Sequence, residues 1–544
     1  MVKNANRRIL ALNLMGDVCQ TGPTFPQDAP PFFGVQSAQE LAQIPDPLFR
    51  QNAQEMFYFC RSAQQRAIAL SQPGDMVPVE TELDPDLIQH ILGNCFGIDP
   101  LSVVFLPLQD KGKMSLPEAI MADSTTMDRL RTCIKNEEQR WIISPYAVDD
   151  GIMQLGEELG TGWGQEWTYS PQQFGVRHNE CWRYPQSNSN WSLIEANSKA
   201  KNYLLAKDID PDWVPEGTVA SSYEAVARTV VQYLLSGNFQ ELCVKANINC
   251  SGKGNIRFEI EEHSLRVKYV NKDEIFYNVN EPEMLNIVRA KCRDYGLYIS
   301  DVHPAVIQKW ENFFLELTPS LEVYIPPLES GISPFIINEC FQFMENGAFV
   351  GSISPDPLTV SMKKLAEIPT AFWDSLGISR HDYILYYHAQ YLAAWEQQRQ
   401  YSLTFALEMQ KRGEVGHRDF DFGMIVNSDG TMSPKKCESN ARRTGIWVAD
   451  TIGRRIWGNG YVKKGYILDI ENIKGNVLAE KFQTIYDLLA RKGAIFLPQT
   501  QTGTIITGHV RDGASGRMQA TILRKTMTQV WENYKLIQKL VKEG

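Results

Sequence analysis

A small glycine-rich loop and two upstream lysines are the residues of this sequence best suited to bind an anion. The loop lies within LCVKANINCSGKGNIRFEI, residues 242–260, whose alternating apolar flanks predict strand, loop and strand. Small residues expose backbone N–H groups, and a lysine at the tip adds a positive charge that could close over a triphosphate. An ordinary hairpin turn with solvated lysines is the alternative. The residues concerned are Lys199 at a helix start, Lys245 in the first strand, and Ser251, Gly252, Lys253 and Gly254 in the loop.

Carboxylates on two neighbouring strands form a second candidate site. The pattern predicts strands over residues 418–426 and 436–442, joined by a turn at residues 427–430. Side chains on a strand alternate between its two faces. Two sets of polar side chains therefore each share a face, namely Asp419 with Asp421, and Glu438 with Asn440 and Arg442.

These side-chain types suit phosphate chemistry assisted by a metal ion. Magnesium accepts a few carboxylate and amide oxygens and retains water as its other ligands. Arg442 could stabilise a transferring phosphoryl group. A solvated hairpin whose charges pair across the strands is the alternative.

Composition limits the class of protein. A chain of 544 residues is too long for one hydrophobic core, which indicates several packed units. The net charge of −10 gives no general attraction to nucleic acid or to anionic membranes. The ten cysteines form no CxxC pair, a usage typical of reduced thiols. We therefore expect a cytoplasmic enzyme with neither nucleic acid nor membrane as a partner.

Periodicity predicts an α/β organisation in three parts. Residues 1–193 alternate strands with helices, and residues 160–192 within them are irregular. Residues 194–325 contain the glycine loop, and residues 326–544 contain the acidic strands. Predicted strands lie at residues 9–14, 102–106, 141–143, 320–325, 423–426 and 434–440, and predicted helices at residues 83–92, 152–159, 198–207, 223–235, 361–365, 383–412, 478–492 and 518–541.

The order of these features resembles the ATP-grasp ligase superfamily over residues 197–445. Residues 321–329, LEVYIPPLE, look like the adenine hinge of D-alanine–D-alanine ligases, with two glutamates seven residues apart. The run CESNARRTG, residues 437–445, is similar to the end of the metal strand in the pheganomycin-type peptide ligase subgroup. The resemblance implies an N-terminal Rossmann-like pre-ATP-grasp domain, followed by two α+β subdomains that hold ATP between their sheets.

The resemblance also implies roles for individual residues. Lys199 and Lys245 contact phosphates, while Ser251, Gly252, Lys253 and Gly254 form the closing loop. Glu322 and the backbone of Tyr324 and Ile325 meet the adenine, and Glu329 holds the ribose hydroxyls. Magnesium is carried by Asp421, Glu438 and Asn440, and Lys253 and Arg442 assist catalysis. Asp419 replaces the usual glycine before the metal aspartate, so either Asp419 or Asp421 is the ligand.

The implied activity is ATP-dependent joining of a carboxylate to an amine through an acyl phosphate, with release of ADP and phosphate. The expected substrates are a small-molecule acid and amine, such as amino acids or a small peptide, and a homodimer is the commonest assembly for such an enzyme. A small-molecule kinase on the same scaffold and a regulatory nucleotide-binding protein are the alternatives. Candidate substrate residues are Arg443, Arg454, Arg455, Arg511 and Arg517, and candidate proton acceptors are His417 and His509.

Overall fold

The computed structural model describes residues 7–11, 64–79, 83–108, 116–136, 141–145, 150–160, 162–163, 198–247, 255–262, 264–269, 272–295, 297–301, 303–316, 318–345, 348–440, 445–512 and 515–543. The chain divides into two compact units. The first unit contains Met1–Gln186, Val350–Ser375 and Arg442–Gly544, and the second contains Ser187–Phe349 and Leu376–Ala441. Both units are discontinuous in sequence, and the three-part division stays a prediction.

The N-terminal part of the first unit is built on a parallel sheet. Its elements are β1 (Arg7–Ala11), α1 (Ala67–Leu70), β2 (Met76–Val79), α2 (Pro85–Ile88), β3 (Val104–Pro107), α3 (Leu116–Ala122), α4 (Ser124–Asn136), β4 (Trp141–Pro145), α5 (Asp150–Leu159) and β5 (Gly162–Trp163). The strand order is β3-β2-β1-β4-β5, and every described pairing is parallel. Ile9, Ile143 and Ile152 are fully buried in its core. The predicted Rossmann-like arrangement is confirmed.

The second unit contains two antiparallel sheets. The elements up to its first break are α6 (Lys199–Ile209), β6 (Gly217–Ala220), α7 (Tyr223–Leu235), β7 (Glu241–Lys245), β8 (Asn255–Glu261), β9 (Ser264–Tyr269), β10 (Lys272–Phe276), α8 (Glu281–Asp294), β11 (Ala305–Lys309), β12 (Thr318–Ile325) and β13 (Phe335–Glu345). Six strands form a sheet in the order β10-β9-β8-β7-β11-β6. Apolar residues of α7 and α8, including Val230 and Val288, pack in one core with this sheet.

The chain next contributes β14 (Ala348–Ser354), α9 (Met362–Ala366) and α10 (Thr370–Ser375), and then returns to the second unit. There it forms α11 (Arg380–Asp382), a π-helical turn (Tyr383–Tyr387), α12 (His388–Lys411), β15 (Gly416–Val426) and β16 (Met432–Asn440). These strands complete the second sheet of that unit, in the order β16-β15-β12-β13. Phe405 of α12 and Tyr203 of α6 lie in one core with Val323 and Phe420.

The C-terminal part belongs to the first unit. It contains α13 (Gly445–Trp457), β17 (Tyr466–Gly475), α14 (Phe482–Arg491), β18 (Gly503–Asp512), β19 (Ser515–Arg524) and α15 (Met527–Glu543). The strands lie in the order β14-β17-β19-β18. None of the helices in the described ranges is long and apolar enough to cross a membrane.

One predicted element at the C-terminus is wrong. The sequence predicts a single helix over residues 518–541, whereas the chain remains a strand to Arg524 and the helix begins at Met527. Both faces of β19 are buried, so its polar and apolar residues do not alternate as they do on a half-exposed strand. Length and periodicity alone do not separate such a strand from a buried helix.

Candidate active site

The first lysine of the candidate site is fixed at the start of α6. Ser198 caps the helix, and Asn247, which follows β7, binds this cap. The Asn247 Oδ1 atom accepts hydrogen bonds from Ser198 Oγ at 2.7 Å and from the Ala200 N–H at 3.0 Å. Its carbonyl oxygen accepts from the Lys199 N–H at 3.0 Å. The start of α6 is therefore joined to the end of β7, the strand that carries Lys245.

Both lysines reach strand β16. The Lys199 Nζ atom lies 3.4 Å from Glu438 Oε1, with the two side chains 10% and 28% exposed. The Lys245 Nζ atom donates a hydrogen bond to the Cys437 carbonyl oxygen at 3.3 Å. Both lysines line a small cleft that is partly open to solvent. We call it the lysine cleft, and its lining is Lys199, Asn202, Tyr203, Val214, Lys245, Val306, Gln308, Lys436, Cys437, Glu438 and Ser439.

The predicted acidic residues share one face of the second sheet. Asp421 is paired directly with Ser320 on β12 and with Glu438 on β16. Asp419 is paired with Glu322 on one side and with Asn440 on the other. Directly paired residues project from the same face of a sheet. The expected metal residues and the first hinge glutamate therefore occupy a common surface, which we call the acidic face; it consists of Ser320, Glu322, Asp419, Asp421, Glu438 and Asn440.

A β-bulge changes the register between β15 and β16, the two strands that we call the acidic hairpin. Asp421 pairs with Glu438, whereas the next residue, Phe422, pairs with Lys436, so that Cys437 is an extra residue on β16. Because of this insertion, Lys436 and Glu438 lie on opposite faces although they are only two residues apart. The predicted turn at residues 427–430 is confirmed, with Gly430 at a φ of 81°.

The carboxylates of the acidic face crowd one another. The Asp421 Oδ1 atom accepts a hydrogen bond from Gln342 Nε2 at 2.5 Å, and Asp419 Oδ1 accepts one from Ser320 Oγ at 2.5 Å. Burial, followed by the negative charges of Asp419 and Glu438, raises the pKa of Asp421 well above its ordinary value. A cation beside these groups would offset this repulsion. The donor set, two or three carboxylates with the Asn440 amide, is chemically suited to magnesium.

The acidic face alone does not form a complete metal cage. Across the described ranges, no group of three or more histidine, cysteine, aspartate or glutamate residues is arranged to hold a metal ion. Magnesium commonly binds to one or two carboxylates together with substrate phosphates and water. The arrangement therefore suits an ion that arrives with a nucleotide rather than a resident structural metal.

The hinge residues lie at one end of the acidic face. The Glu322 Oε1 atom is 2.8 Å from His417 Nδ1, and both side chains are buried. The ring of Tyr324 stands edge-on to His417, and Ile325 is fully buried. Glu329 is exposed on the short 3₁₀ turn Leu328–Ser330. His417, a candidate proton acceptor, is thus a partner of the first hinge glutamate.

Sequence reasoning missed two buried cations on the opposite face of the hairpin. Arg418 is fully buried and is bound through two hydrogen bonds of 2.6 Å by the Glu414 carboxylate. The Lys436 ammonium lies 4.9 Å from the centre of the Phe405 ring. Burial, followed by the nearby Arg418 charge, lowers the pKa of Lys436 to about 7. The sequence does contain a signal for a buried cation on this strand. Arg418 is a charged residue whose neighbour on the same face of the strand, Phe420, is apolar.

Several predicted residues cannot be placed. Ser251, Gly252, Lys253 and Gly254 of the glycine loop, together with Arg442 and Arg443, lie outside the described residues. In the first unit, Arg455 donates to the carbonyl oxygens of Ala69 and Leu70, and Arg454 pairs with Asp450. His509 Nε2 lies 2.9 Å from the Leu478 carbonyl oxygen. These contacts lie within the first unit, and the substrate-binding role of Arg454 and Arg455 and the proton-acceptor role of His509 stay predictions.

Residues 64–161 match the family model described as "Pre ATP-grasp domain". The match covers the parallel strands β2, β3 and β4 and the helices α1 to α5 of the first unit. It confirms the predicted pre-ATP-grasp domain and supports the resemblance to the ATP-grasp superfamily, while membership of the pheganomycin-type subgroup stays a prediction. No curated protein matches the sequence.

Solved structures similar to this chain include several synthetases. N5-carboxyaminoimidazole ribonucleotide synthetase from Thermus thermophilus is 10% identical, covering 88% of this chain and 97% of that chain, with a TM-score of 0.44. The Aspergillus clavatus N5-carboxyaminoimidazole synthase in complex with ADP and 5-aminoimidazole ribonucleotide is 12% identical, with 98% of each chain covered and a TM-score of 0.41. D-alanyl-alanine synthetase A from Vibrio cholerae is 11% identical, covering 59% and 72%, with a TM-score of 0.29. Similarities of this size define neither the fold nor the reaction.

Proposed function

We propose that this protein is an ATP-dependent carboxylate–amine ligase that acts through an acyl phosphate and releases ADP and phosphate. The observation that carries the proposal is that, in the lysine cleft, Lys199 contacts Glu438 and Lys245 contacts the backbone of the adjacent Cys437. These residues come from three separate segments, and they place two cations beside an acidic strand. Such a constellation suits a triphosphate with a divalent cation.

The chemical need for ATP follows from the weak reactivity of a carboxylate. Its negative charge makes the carbonyl carbon a poor electrophile, and oxide is a poor leaving group. Transfer of the γ-phosphoryl group to a carboxylate oxygen breaks the bond to ADP and creates an acyl phosphate. The amine then attacks the carbonyl carbon, and phosphate leaves. Lys199 and Lys245 would neutralise charge that develops on the phosphate oxygens during the first step.

Magnesium would be held by Glu438, Asn440 and either Asp421 or Asp419. When bound, it would neutralise phosphate charge and orient the terminal phosphoryl group. The pairing of Asp421 with Glu438 and of Asp419 with Asn440 favours a cation at this place, because it brings these carboxylates together on one face, where a positive charge would relieve their repulsion. Lys199 would then exchange its contact with Glu438 for a contact with the nucleotide.

The other expected residues complete the proposed nucleotide site. Glu322 and the backbone of Tyr324 and Ile325 would receive the adenine, and Glu329 would bind the ribose hydroxyls. Ser251, Gly252, Lys253 and Gly254 would close over the phosphates and exclude water from the acyl phosphate. Arg442 would stabilise the transferring phosphoryl group. An amino acid or small peptide is the proposed substrate class, following the resemblance to peptide ligases.

The test is ADP formation with panels of amino acids and small carboxylates, with and without an amine, followed by mass spectrometry of the product. We expect ADP release that requires both substrates and a product heavier than the acid by the amine less one water. Glu438→Gln should lower this rate at least about 100-fold, whereas Glu281→Gln on the exposed start of α8 should not change it. A stable phosphate ester on a substrate hydroxyl, formed without any amine, would instead identify a kinase, and equal rates in wild type and Glu438→Gln would contradict the site.

A further inference from the structure

The orientation of the metal-strand residues depends on a short part of β16. The bulge at Cys437 interrupts the regular ladder immediately before Glu438. The strand pairs up to Lys436 therefore do not determine which way the side chains after the bulge project. Only Glu438, Ser439 and Asn440 of the strand follow the bulge. Because neighbouring side chains on a strand project from opposite faces, the direction of Ser439 decides the direction of Glu438 and Asn440.

Ser439 is held on the core face by a buried arginine. The Arg418 Nη1 atom donates to Ser439 Oγ at 2.9 Å, and both residues are buried. Glu414 holds the guanidinium group from its other side through both carboxylate oxygens. This two-point contact fixes the plane of the guanidinium. Ser439 is therefore anchored inward, and its two neighbours project towards the acidic face.

The same nitrogen atom also contacts the lysine helix. Arg418 Nη1 donates to Asn202 Oδ1 at 3.2 Å. Asn202 lies three residues after Lys199, so the two side chains leave α6 from nearby positions about one turn apart. One guanidinium thus connects the helix that carries Lys199 to the strand that carries Glu438. This connection supports the ion pair in the lysine cleft, where Lys199 Nζ lies 3.4 Å from Glu438 Oε1.

We propose that Arg418 is a positioning residue, which through Ser439 and Asn202 sets the direction of Glu438 and Asn440 and their separation from Lys199. The inference rests on the function proposed for this site. Arg418 touches neither the nucleotide nor the metal in this scheme. Its charge is balanced by Glu414, so its contribution to the site is geometric. Groups of this kind behind a metal ligand typically change metal affinity by about 10- to 100-fold when they are removed.

The experiment removes the serine contact and leaves every proposed ligand in place. Magnesium is titrated into the full-length protein saturated with a non-hydrolysable ATP analogue, and the heat of binding is measured. We expect Ser439→Ala to weaken magnesium binding about 10-fold and Ser439→Thr, which keeps a hydroxyl, to restore most of it. Ser433→Ala is the matched control, because Ser433 is on the same strand and its hydroxyl contacts Asn427 Oδ1, at 3.3 Å, in the turn.

A second variant tests the other arm of the connection. Asn202→Ala should weaken binding of the same ATP analogue in the presence of a magnesium chelator, because the variant frees the helix that carries Lys199. If a variant only loosened the packing, its melting temperature would fall, and its binding of magnesium and of the analogue would weaken together. Equal magnesium affinity in Ser439→Ala and Ser433→Ala would overturn the positioning role. Failure of the wild-type protein to bind the analogue at all would instead overturn the proposed function.

Discussion

The candidate site has two parts, which we name after the ligand groups proposed for them. At the proposed phosphate end, Lys199 and Lys245 reach β16 from two other segments. At the proposed base end, Glu322 contacts His417 on the neighbouring strand. The first group faces a cleft that is partly open to solvent, and the second is closed, with Glu322 only 1% exposed. The phosphate end therefore has its charges in place before a ligand arrives. Under the proposed function, Glu322 would have to exchange or share its hydrogen bond with His417 to accept an adenine.

The largest effect is expected at the phosphate end. Lys199→Met and Lys245→Met should each lower kcat/KM for ATP by about 100- to 1,000-fold, since each removes a positive charge positioned for the transferring group. Lys363→Met on the exposed surface of α9 is the control and should leave the rate unchanged. Steady-state ADP formation measures the effect. Losses below about threefold in both cleft variants would show that the preformed cations do not serve the reaction.

The next effect concerns Lys436, a buried lysine in the lining of the cleft. A lysine whose pKa is lowered to about 7 in the folded protein is neutral above pH 7 there, while the unfolded chain still binds a proton up to its ordinary pKa near 10.5. Stability should therefore rise with pH above 7, by about 2 kcal/mol between pH 7 and pH 9, and the lysine should cost stability below pH 7. Lys436→Met should remove this slope in urea unfolding.

Lys435→Met provides the comparison for that experiment. Lys435 is the preceding residue of β16, and its ammonium contacts the Asp212 carbonyl oxygen at 2.6 Å in an exposed position. The pH slope should persist in this variant. A wild-type stability that stays flat between pH 7 and pH 9 would contradict the interpretation of Lys436 as a buried cation.

The smallest effect is expected at the base end. Glu322→Gln removes the charge from the hydrogen bond with His417 and from the proposed contact with the adenine amino group. We expect about a 10-fold rise in KM for ATP with little change in kcat. Inhibition by inorganic tripolyphosphate, which has no base, should be the same as in wild type. An equal loss of tripolyphosphate affinity would mean that the two ends are not independent.

The acidic hairpin shows how much of the candidate site can be predicted from the sequence. Period-two alternation correctly places Glu438 with Asn440, and Asp419 with Asp421, because this pattern follows from strand geometry alone. It does not reveal the bulge at Cys437, which places Lys436 on the other face. Bulges depend on how the two strands pack against each other, and the alternation of residues along one strand does not record that packing.

The core charges illustrate a second limit. The helix over residues 223–235 and the helix that begins at Lys199 follow from local chemistry, and both predictions are confirmed. The sequence does not identify Arg418, because its partners Asn202, Glu414 and Ser439 come from three separate segments. Contacts between distant segments are created by tertiary folding, so periodicity and spacing do not anticipate them.

The extra residue at Cys437 also bears on how this chain should be aligned with other proteins. A gapless alignment anchored on residues 432–436 would shift Glu438 and Asn440 by one position relative to a regular hairpin, and would equate a ligand position with its inward-facing neighbour. The insertion has to be assigned to Cys437 itself before residue identities are compared. An engineered deletion of Cys437 should accordingly leave Glu438, Ser439 and Asn440 on their present faces, because Lys436 and Glu438 would then be neighbours in a regular ladder with Phe422 and Asp421.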